Sequence, residues 1–143
     1  MPNAVEETGP SVLDAARGIV KAISTADIMT LEGAIDPDAT MFAPLNTPER
    51  QDGRDAALAT FRGIFDALRA AGRTNLNLFP LNEKVQLLGD VAIVTFQLGE
   101  VPKVAIAPPV NFGRRTLVMQ KKNGRWLLVH LHASAFQLTG PPG

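Results

Sequence analysis

The two histidines of the chain are the side chains best suited to chemistry at neutral pH. His130 and His132 lie two residues apart on a predicted strand, so they share one face of it. Two imidazoles so placed can form a general acid/base pair, or can supply two ligands of a zinc site. They can equally form a hydrogen-bonded structural pair on a sheet. No Asp or Glu lies in this strand or in the strand before it, and Arg114 nearby disfavours a cation. We therefore predict no metal, no cofactor, and a structural or interface role for both histidines.

Other reactive residue types are scarce. The chain has no cysteine and no tyrosine, which excludes disulfides, thiolate nucleophiles and phenol donors. The charged residues that could reach a pocket are Arg115, Glu32, Asp36 and Glu100. An acid enclosed by apolar side chains can take a pKa near neutrality and transfer protons. A salt bridge or a helix cap is the more common role of such acids, so the catalytic residues stay unassigned.

The composition is typical of one globular domain. The chain has 143 residues, of which 45% are apolar and 20% charged. Fourteen basic residues balance fourteen acidic ones without a block of like charge, so we expect no nucleic-acid or membrane partner. Neither a signal peptide nor a membrane-spanning run is present, and a cytoplasmic protein is the expectation. We place the domain at residues 11–136, with flexible ends at 1–10 and 137–143.

Helical periodicity covers the first half of the chain. Ser11 followed by Asp14 resembles a capping box, and the apolar residues behind it recur at a spacing of three and four. Asp27 can cap a second, short helix that Gly33 ends, and a third helix ends at Gly72. The apolar stripes are Val12, Ala16, Ile19 and Ile23 in the first helix, Ile28 and Leu31 in the second, and Leu58, Phe61, Phe65 and Leu68 in the third.

The second half of the chain has the period of strands. Gly89-Asp90 and Asn123-Gly124 are strong hairpin signals between such runs. Three helices followed by consecutive antiparallel strands predict an α+β fold with the helices packed on one face of a sheet. The predicted strands are Ala39–Ala43, Leu76–Phe79, Lys84–Leu88, Val91–Leu98, Phe112–Lys121 and Arg125–Ala133, and a loop is predicted for Asn46–Gly53.

The register of the last hairpin decides which side chains face the helices. A two-residue loop would pair Lys122 with Arg125, whereas a three-residue loop with a glycine bulge would pair Lys121 with Arg125. We predict the three-residue loop, because it sorts polar residues away from the helices, where an unpaired polar group costs about 1–3 kcal/mol. The inner face then carries Arg115, Leu117, Met119, Leu127, Val129, Leu131 and Ala133, and the outer face carries Arg114, Thr116, Val118, Gln120, Trp126, Leu128, His130, His132 and Ser134.

Two stretches of the chain, together with the Gly89–Ala92 hairpin, resemble a known family. They are Ile35–Phe42 with Asp52–Ala56 downstream, and Gly113–Val118 continuing through Asn123–Trp126 to Val129–Ser134. These stretches are similar to SnoaL-like proteins of the nuclear transport factor two-like superfamily and to the association domain of calmodulin-dependent kinase II. The resemblance implies a cone-like, cystatin-like fold, in which a curved antiparallel or mixed sheet wraps on a long N-terminal helix. It also implies an open pocket at the wide end of the cone, and dimers.

The residues that carry chemistry in members of this superfamily are not matched here. Ketosteroid isomerases have a general-base aspartate just before a proline, and the matching position before Pro44 is Ala43. Their oxyanion hole needs a tyrosine, which this chain lacks. The arginines that line the pocket of the kinase association domain align with Leu98, Leu117 and Ala133. The resemblance therefore implies a mostly apolar pocket.

We expect a small-molecule-binding domain that forms a homodimer, without an assigned reaction. The alternatives are a small enzyme of isomerase, cyclase, dehydratase or hydrolase type acting on an apolar polyketide-like or terpenoid-like substrate, and an oligomerisation module. The apolar stretch Val101–Val110 is expected to cover the pocket or an interface. The expected pocket residues are Ile19, Met41, Phe61, Phe65, Phe96, Leu98, Arg115, Leu117 and Leu131. The expected dimer-interface residues are Arg114, Thr116, Trp126, Leu128, His130 and His132.

Overall fold

Three helices pack on a six-stranded sheet in the computed structural model, which describes residues 4–43, 48–73, 76–100 and 110–135. The helices are α1 (Ala4–Ser24), α2 (Ile28–Ala34) and α3 (Arg54–Ala70). The strands are β1 (Ile35–Phe42), β2 (Gln51–Asp52), β3 (Leu78–Leu88), β4 (Val91–Glu100), β5 (Val110–Lys122) and β6 (Arg125–Ala135). The predicted α+β fold is confirmed.

The sheet has the strand order β2-β1-β6-β5-β4-β3. Strands β3 to β6 form consecutive antiparallel pairs, and β1 pairs with β6 in parallel. Both predicted hairpins are confirmed, since Leu88 pairs with Val91 and Lys122 pairs with Arg125 across their turns. The parallel pairing of β1 with β6 brings the first strand beside the last and extends the sheet at that side.

The core lies between the helices and one face of the sheet. Helices α1 and α3 pack the apolar stripes predicted for them against the core, where Ile23 and Leu68 are half-buried and the other members are buried. In the sheet, Val94 and Met119 have 0% exposure, while the alternate residues Thr95 and Val118 are only half-buried. Successive side chains of a strand point to opposite faces, so these alternate residues lie on the second face of the sheet. They stay half-buried because no helix of the described chain covers that face. We call this second face the outer face. None of the described helices is both long and apolar enough to span a membrane.

Several element boundaries differ from the prediction. Helix α1 already begins at Ala4, so Ser11 lies inside the helix and not at its cap. The predicted cap of α2 is confirmed, because the Thr30 amide donates to Asp27 Oδ1 at 3.1 Å. Strand β1 begins at Ile35, before the predicted start at Ala39. Its pairing with β6 is irregular between Ile35 and Thr40, and a proline such as Pro37 is tolerated in a strand at such an irregularity.

Two further strands were not anticipated in their observed form. The runs predicted as separate strands form one strand, β3, with an irregularity between Leu81 and Lys84, where Asn82 has a positive φ of 54°. The short strand β2 lies in the predicted loop and pairs with β1. The apolar stretch 101–109 and the predicted tail 137–143 lie outside the described residues.

The last hairpin has a two-residue turn, so the predicted three-residue loop is wrong. Lys122 pairs with Arg125, and the turn residues Asn123 and Gly124 have φ values of 52° and 76°. Positive φ at both central positions is the geometry that Asn-Gly adopts in a type I′ turn. The extra residue lies farther along β6, where Met119 pairs with Leu128 and Val118 with His130.

Val129 is therefore the extra residue of a β-bulge, and it reverses the alternation of β6. Trp126 and Leu128 lie on the inner face, with 7% and 3% exposure. Their predicted place on the outer face, and with it in a dimer interface, is wrong. Leu127 and Val129, predicted to lie inside, are half-buried outside the core. Beyond the bulge the predicted faces of β6 are correct, because Leu131 and Ala133 are buried.

Candidate functional site

A cavity of about 300 Å³ lies between the inner face of the sheet and helices α1 and α3. Its size is at the lower end of the range for small-molecule sites, roughly 300–1,000 Å³. Its walls are apolar apart from Thr60 and Arg115. The lining residues are Ile23, Met41, Ala43, Thr60, Phe61, Ile64, Leu76, Leu78, Leu98, Arg115, Leu131 and Ala133.

The rim of this cavity is fixed by hydrogen bonds between α1 and the start of β3. The Leu76 amide donates to Ser24 O at 2.8 Å, and the Leu78 amide donates to Ser24 Oγ at 2.9 Å. Farther along, the Arg17 guanidinium donates to both carboxylate oxygens of Glu83, at 2.8 and 2.9 Å. Helix α1 is thus joined to the β3 region by two hydrogen bonds at Ser24 and two at Arg17. These bonds fix the distance between α1 and β3 beside the cavity.

Arg115 is the one charged side chain among the described residues that line the cavity. Its Nη1 donates to Arg114 O at 3.1 Å, and it forms no ion pair with any carboxylate that the structure describes. Burial lowers the pKa of Arg115 from its ordinary value, since charge is disfavoured beside apolar walls. The guanidinium nevertheless stays protonated at neutral pH. The described part of the cavity therefore contains a positive charge without a counter-charge.

Gly113 determines where this guanidinium lies. Residues 113 and 115 share the inner face of β5. A Cβ atom at position 113 would lie 2.5 Å from Arg115 Nη1 and 3.1 Å from Arg115 Cζ. The arginine side chain therefore folds back over the bare glycine backbone, and any side chain at position 113 would displace it.

The structure brings most of the predicted pocket residues together, at two places. Five of them line the cavity itself, namely Met41, Phe61, Leu98, Arg115 and Leu131. Ile19, Phe96 and Leu117 line a narrow space of about 20 Å³ that adjoins it. Phe65 lies apart, in a cleft beside the exposed residues Arg62 and Asp66 of α3. Whether these residues contact a ligand stays a prediction.

Several cavity residues were missed by the prediction from sequence. Ile23 and Ala133 carried a signal, because both were assigned to inward faces. Thr60 and Ile64 directly precede Phe61 and Phe65, which belong to the predicted stripe of α3. Leu78 precedes the irregular part of β3. The positions aligned with the arginines of the kinase association domain do face this region, since Leu98 and Ala133 line the cavity and Leu117 the adjoining space.

Both histidines lie on the outer face, away from the cavity. Thr40 Oγ1 and His130 Nδ1 are within hydrogen-bond distance at 2.7 Å, and the ring of Phe42 contacts both imidazoles at centroid distances of 6.0 and 5.4 Å. Burial lowers the pKa of His130, and the nearby imidazole of His132 lowers it further. His130 is half-buried and His132 exposed. The predicted interface residues Arg114 and Thr116 lie on this same face.

Two of the acidic candidates, Asp36 and Glu32, lie away from the cavity, whereas the side chain of Glu100 lies outside the described residues. Asp36 is buried at the opposite end of β1, where its Oδ1 accepts from Lys122 Nζ at 2.7 Å. Glu32 is exposed on α2. Among the described residues, no three His, Cys, Asp or Glu side chains come together as a metal site would require. The described cavity lining therefore offers a hydrogen-bond donor in Arg115, a hydroxyl in Thr60, and no carboxylate or imidazole to act as a base.

Comparison with solved structures places this geometry in a known fold. An NTF2-like protein of unknown function from Pseudomonas putida shares 16% identity, with a TM-score of 0.80 over 95% of this chain and 98% of that one. A protein with a cystatin-like fold from Nostoc punctiforme shares 14% identity, with a TM-score of 0.73 over 95% of each chain. The association domain of calcium/calmodulin-dependent kinase II from C. elegans shares 22% identity, with a TM-score of 0.70 over 90% of this chain and 96% of that one.

Sequence comparison assigns the family. No curated protein sequence matches the chain. The profile of the calcium/calmodulin dependent protein kinase II association domain matches residues 11–137, which is most of the chain. The suspected relationship to the NTF2-like fold and to this association domain is thus confirmed. The chain belongs to the calcium/calmodulin-dependent protein kinase II association domain family.

Proposed function

We propose that this protein is a small-molecule-binding domain whose ligand occupies the cavity between α1, α3 and the sheet. The observation that carries the proposal is the cavity itself, of about 300 Å³, with an apolar lining and one inward guanidinium. Burial of apolar ligand surface against such walls contributes roughly 25 cal/mol per Å². A few polar groups within an otherwise apolar cavity are typical of sites that orient a small ligand.

Filling the cavity tests this function. Ala133 is buried on the wall of the cavity, so Ala133→Leu should occupy space that a ligand would need. Cyclohexanecarboxamide is a suitable neutral probe, measured by ligand-observed NMR and by thermal shift. We expect the variant to weaken binding by about 10-fold or more, since overpacking costs about 1–3 kcal/mol.

The matched control is Ala59→Leu, which adds the same atoms at an exposed position of α3. This control should bind the probe as the wild type does. Equal weakening by both variants, or wild-type protein that does not bind the probe at millimolar concentration, would contradict binding in the cavity.

Self-association through the outer face is the second function that an observation favours. The outer residues of the central strands, among them Ile93, Thr95 and Val118, stay half-buried because no helix of the described chain covers them. A face of this kind, with Phe42 beside two imidazoles, has the mixed apolar and polar character of subunit contacts. The family name describes an association domain, which supports the same proposal. Sedimentation equilibrium at micromolar concentration should give a dimer, and a larger ring would favour a pure oligomerisation module.

A further inference from the structure

A second space, of about 450 Å³, lies between the turn that joins α1 to α2 and the C-terminal half of α3. We call it the α3 cleft. It shares no lining residue with the cavity on the inner face of the sheet, so it is separate from the site of the proposed function. Its volume is within the range of small-molecule sites. Its apolar wall consists of Ala26, Ile28, Phe65 and Leu68.

The alanine on this wall has a backbone conformation that favours glycine. Ala26 has a φ of 57°. The Asp27 amide donates to Ala22 O at 2.8 Å, and the Ala26 amide donates to Ile23 O at 3.3 Å, which is the Schellman motif at the end of α1. Glycine is the usual residue at the positive-φ position of this motif, and backbone strain of this kind is found at functional sites. Here it leaves a methyl group on the wall of the cleft.

The same motif at the end of α3 places an arginine at the cleft. The Arg73 amide donates to Leu68 O at 2.8 Å, and the Gly72 amide donates to Arg69 O at 3.0 Å. Gly72 has a φ of 75°, as the motif requires. The chain therefore turns back after α3, and Arg73 lines the cleft together with Leu68 and Arg69.

The charged lining of the α3 cleft is mainly positive. It consists of Arg62, Arg69 and Arg73 with one acid, Asp66, which pairs with Arg69. Arg62 and Arg69 are seven residues apart, so both lie on one side of α3. The carboxylate of Asp27 lies in the neighbouring turn, where it caps α2. The described lining therefore has two more positive than negative charges, beside an apolar wall.

We propose that the α3 cleft binds a small organic phosphate, with the phosphate monoester on the arginines and an apolar group against Ile28 and Phe65. A phosphate monoester carries close to two negative charges at pH 8, since its second pKa is about 6. That charge matches the net charge of the lining, whereas a carboxylate or a sulfate monoester supplies only one. Arginine suits this ligand because its planar fork of N–H groups binds phosphate oxygens in pairs.

Two probes of nearly the same shape test this site. Phenyl phosphate and phenyl sulfate differ by one charge at pH 8, and calorimetry or NMR titration gives their affinities for the intact protein. We expect phenyl phosphate to bind about 10-fold more tightly, because its second charge strengthens the hydrogen bonds from the arginines. At pH 5 the phosphate has taken up a proton, so this preference should disappear. Inorganic phosphate should bind about 10-fold more weakly than phenyl phosphate, because it lacks the apolar group.

Amide chemical shifts locate the bound probe. Phenyl phosphate should shift the amides of Ile28 and Arg73, which line the cleft, and leave that of Ala133 on the wall of the inner cavity unchanged. Shifts at Ala133 in place of those at the cleft would overturn this proposal and leave ligand binding in the cavity intact. The two proposals can therefore fail separately.

Three variants test the residues of the cleft. Arg62→Met removes an exposed arginine of the lining and should weaken phenyl phosphate binding by about 10-fold. The control Lys84→Met makes the same change in net charge at an exposed position of β3 and should have no effect. Ala26→Gly removes one methyl group at a positive φ, so binding should weaken by about 2- to 4-fold without a loss of thermal stability. Equal affinity for the two probes at pH 8, no binding of phenyl phosphate at millimolar concentration, or equal effects of Arg62→Met and Lys84→Met would overturn the proposal.

Discussion

At the scale of single residues, Asp36 is a buried acid whose polar contacts join separate parts of the described chain. It has 4% exposure, accepts from Lys122 Nζ at 2.7 Å through Oδ1, and accepts from the Asp38 amide at 3.0 Å through Oδ2. Beside it, Arg125 Nη2 donates to Gly33 O at 3.0 Å. These contacts join the end of the β5–β6 hairpin to the junction of α2 and β1. From the sequence, Asp36 could have reached the pocket. In the structure it pairs with Lys122 instead, so its role is in stability.

Replacing Asp36 should make the protein less stable and less sensitive to acid. The hydrogen bond from Lys122 lowers the pKa of Asp36 below its ordinary value of 3.8. A lowered folded-state pKa contributes stability that is present above 3.8 and is lost as the pH falls through the folded-state value. Asp36→Asn should cost about 1–3 kcal/mol at neutral pH and flatten the acid limb of the stability profile. Urea unfolding as a function of pH measures both, with the exposed Asp38→Asn as control, and an unchanged acid limb would contradict this role.

At the scale of elements, the bulge at Val129 decides which side chains of β6 belong to the core. One extra residue moves Trp126 and Leu128 inward while His130 and His132 stay outside. The indole Nε1 of Trp126 is buried without a described hydrogen-bond partner, so this side chain contributes through packing and not through its polar atom. Such a residue stabilises the monomer and offers no surface to a second subunit.

Trp126→Ala should therefore destabilise the fold and not act selectively on a dimer. Truncation of a buried aromatic side chain costs about 3–5 kcal/mol. Trp126→Phe should cost much less, because no described hydrogen bond of the indole is lost. Chemical denaturation gives these values, and Leu127→Ala on the other side of the strand is the control. A small loss for Trp126→Ala, with dissociation of an otherwise stable protein, would support an exposed tryptophan and contradict the observed register.

At the scale of the whole molecule, the two faces of the sheet differ in what covers them. The inner face meets the helices and carries the cavity, whereas the outer face has no described helix against it. The same β-strands can thus serve two functions, since alternate residues of one strand contribute to each face. Ligand binding and self-association are separable on this basis.

Val118→Lys should weaken self-association while leaving ligand binding intact. Val118 is half-buried at the centre of the outer face, between Ile93 and His130 in the sheet. Two copies of an added lysine would bring like charges into a subunit contact, which disfavours association. Sedimentation velocity should reveal a shift toward monomer, and Met29→Lys at an 80% exposed position of α2 should reveal none. Unchanged assembly in Val118→Lys would rule out the outer face as the contact.

Local rules were sufficient for much of this protein. The Asp27 cap, the two hairpins and the apolar stripes of the helices follow from short-range chemistry, and each is observed. The inward position of Arg115 was also predictable, because β5 alternates without interruption and its apolar residues Leu117 and Met119 mark the inner face. The α+β class follows from the order of these elements. The resemblance to the NTF2-like superfamily added the expectation of a curved antiparallel or mixed sheet on a long N-terminal helix, but not the parallel pairing of β1 with β6.

What required the tertiary structure was the register of β6 and the shape of the cavity. Trp126, Leu127, Leu128 and Val129 are four apolar residues in succession, so either face could bury them, and local sequence cannot locate a bulge among them. Pairing with β5 and β1 determines the position of the bulge at Val129. With the bulge there, the Asn-Gly turn has two residues and Leu131 is still buried. The cavity walls come from seven helices and strands, and the hydrogen bond between Ser24 and Leu78 beside the cavity joins residues 54 positions apart. Periodicity reports which face a residue occupies, whereas the distance between two faces is set only when the elements pack.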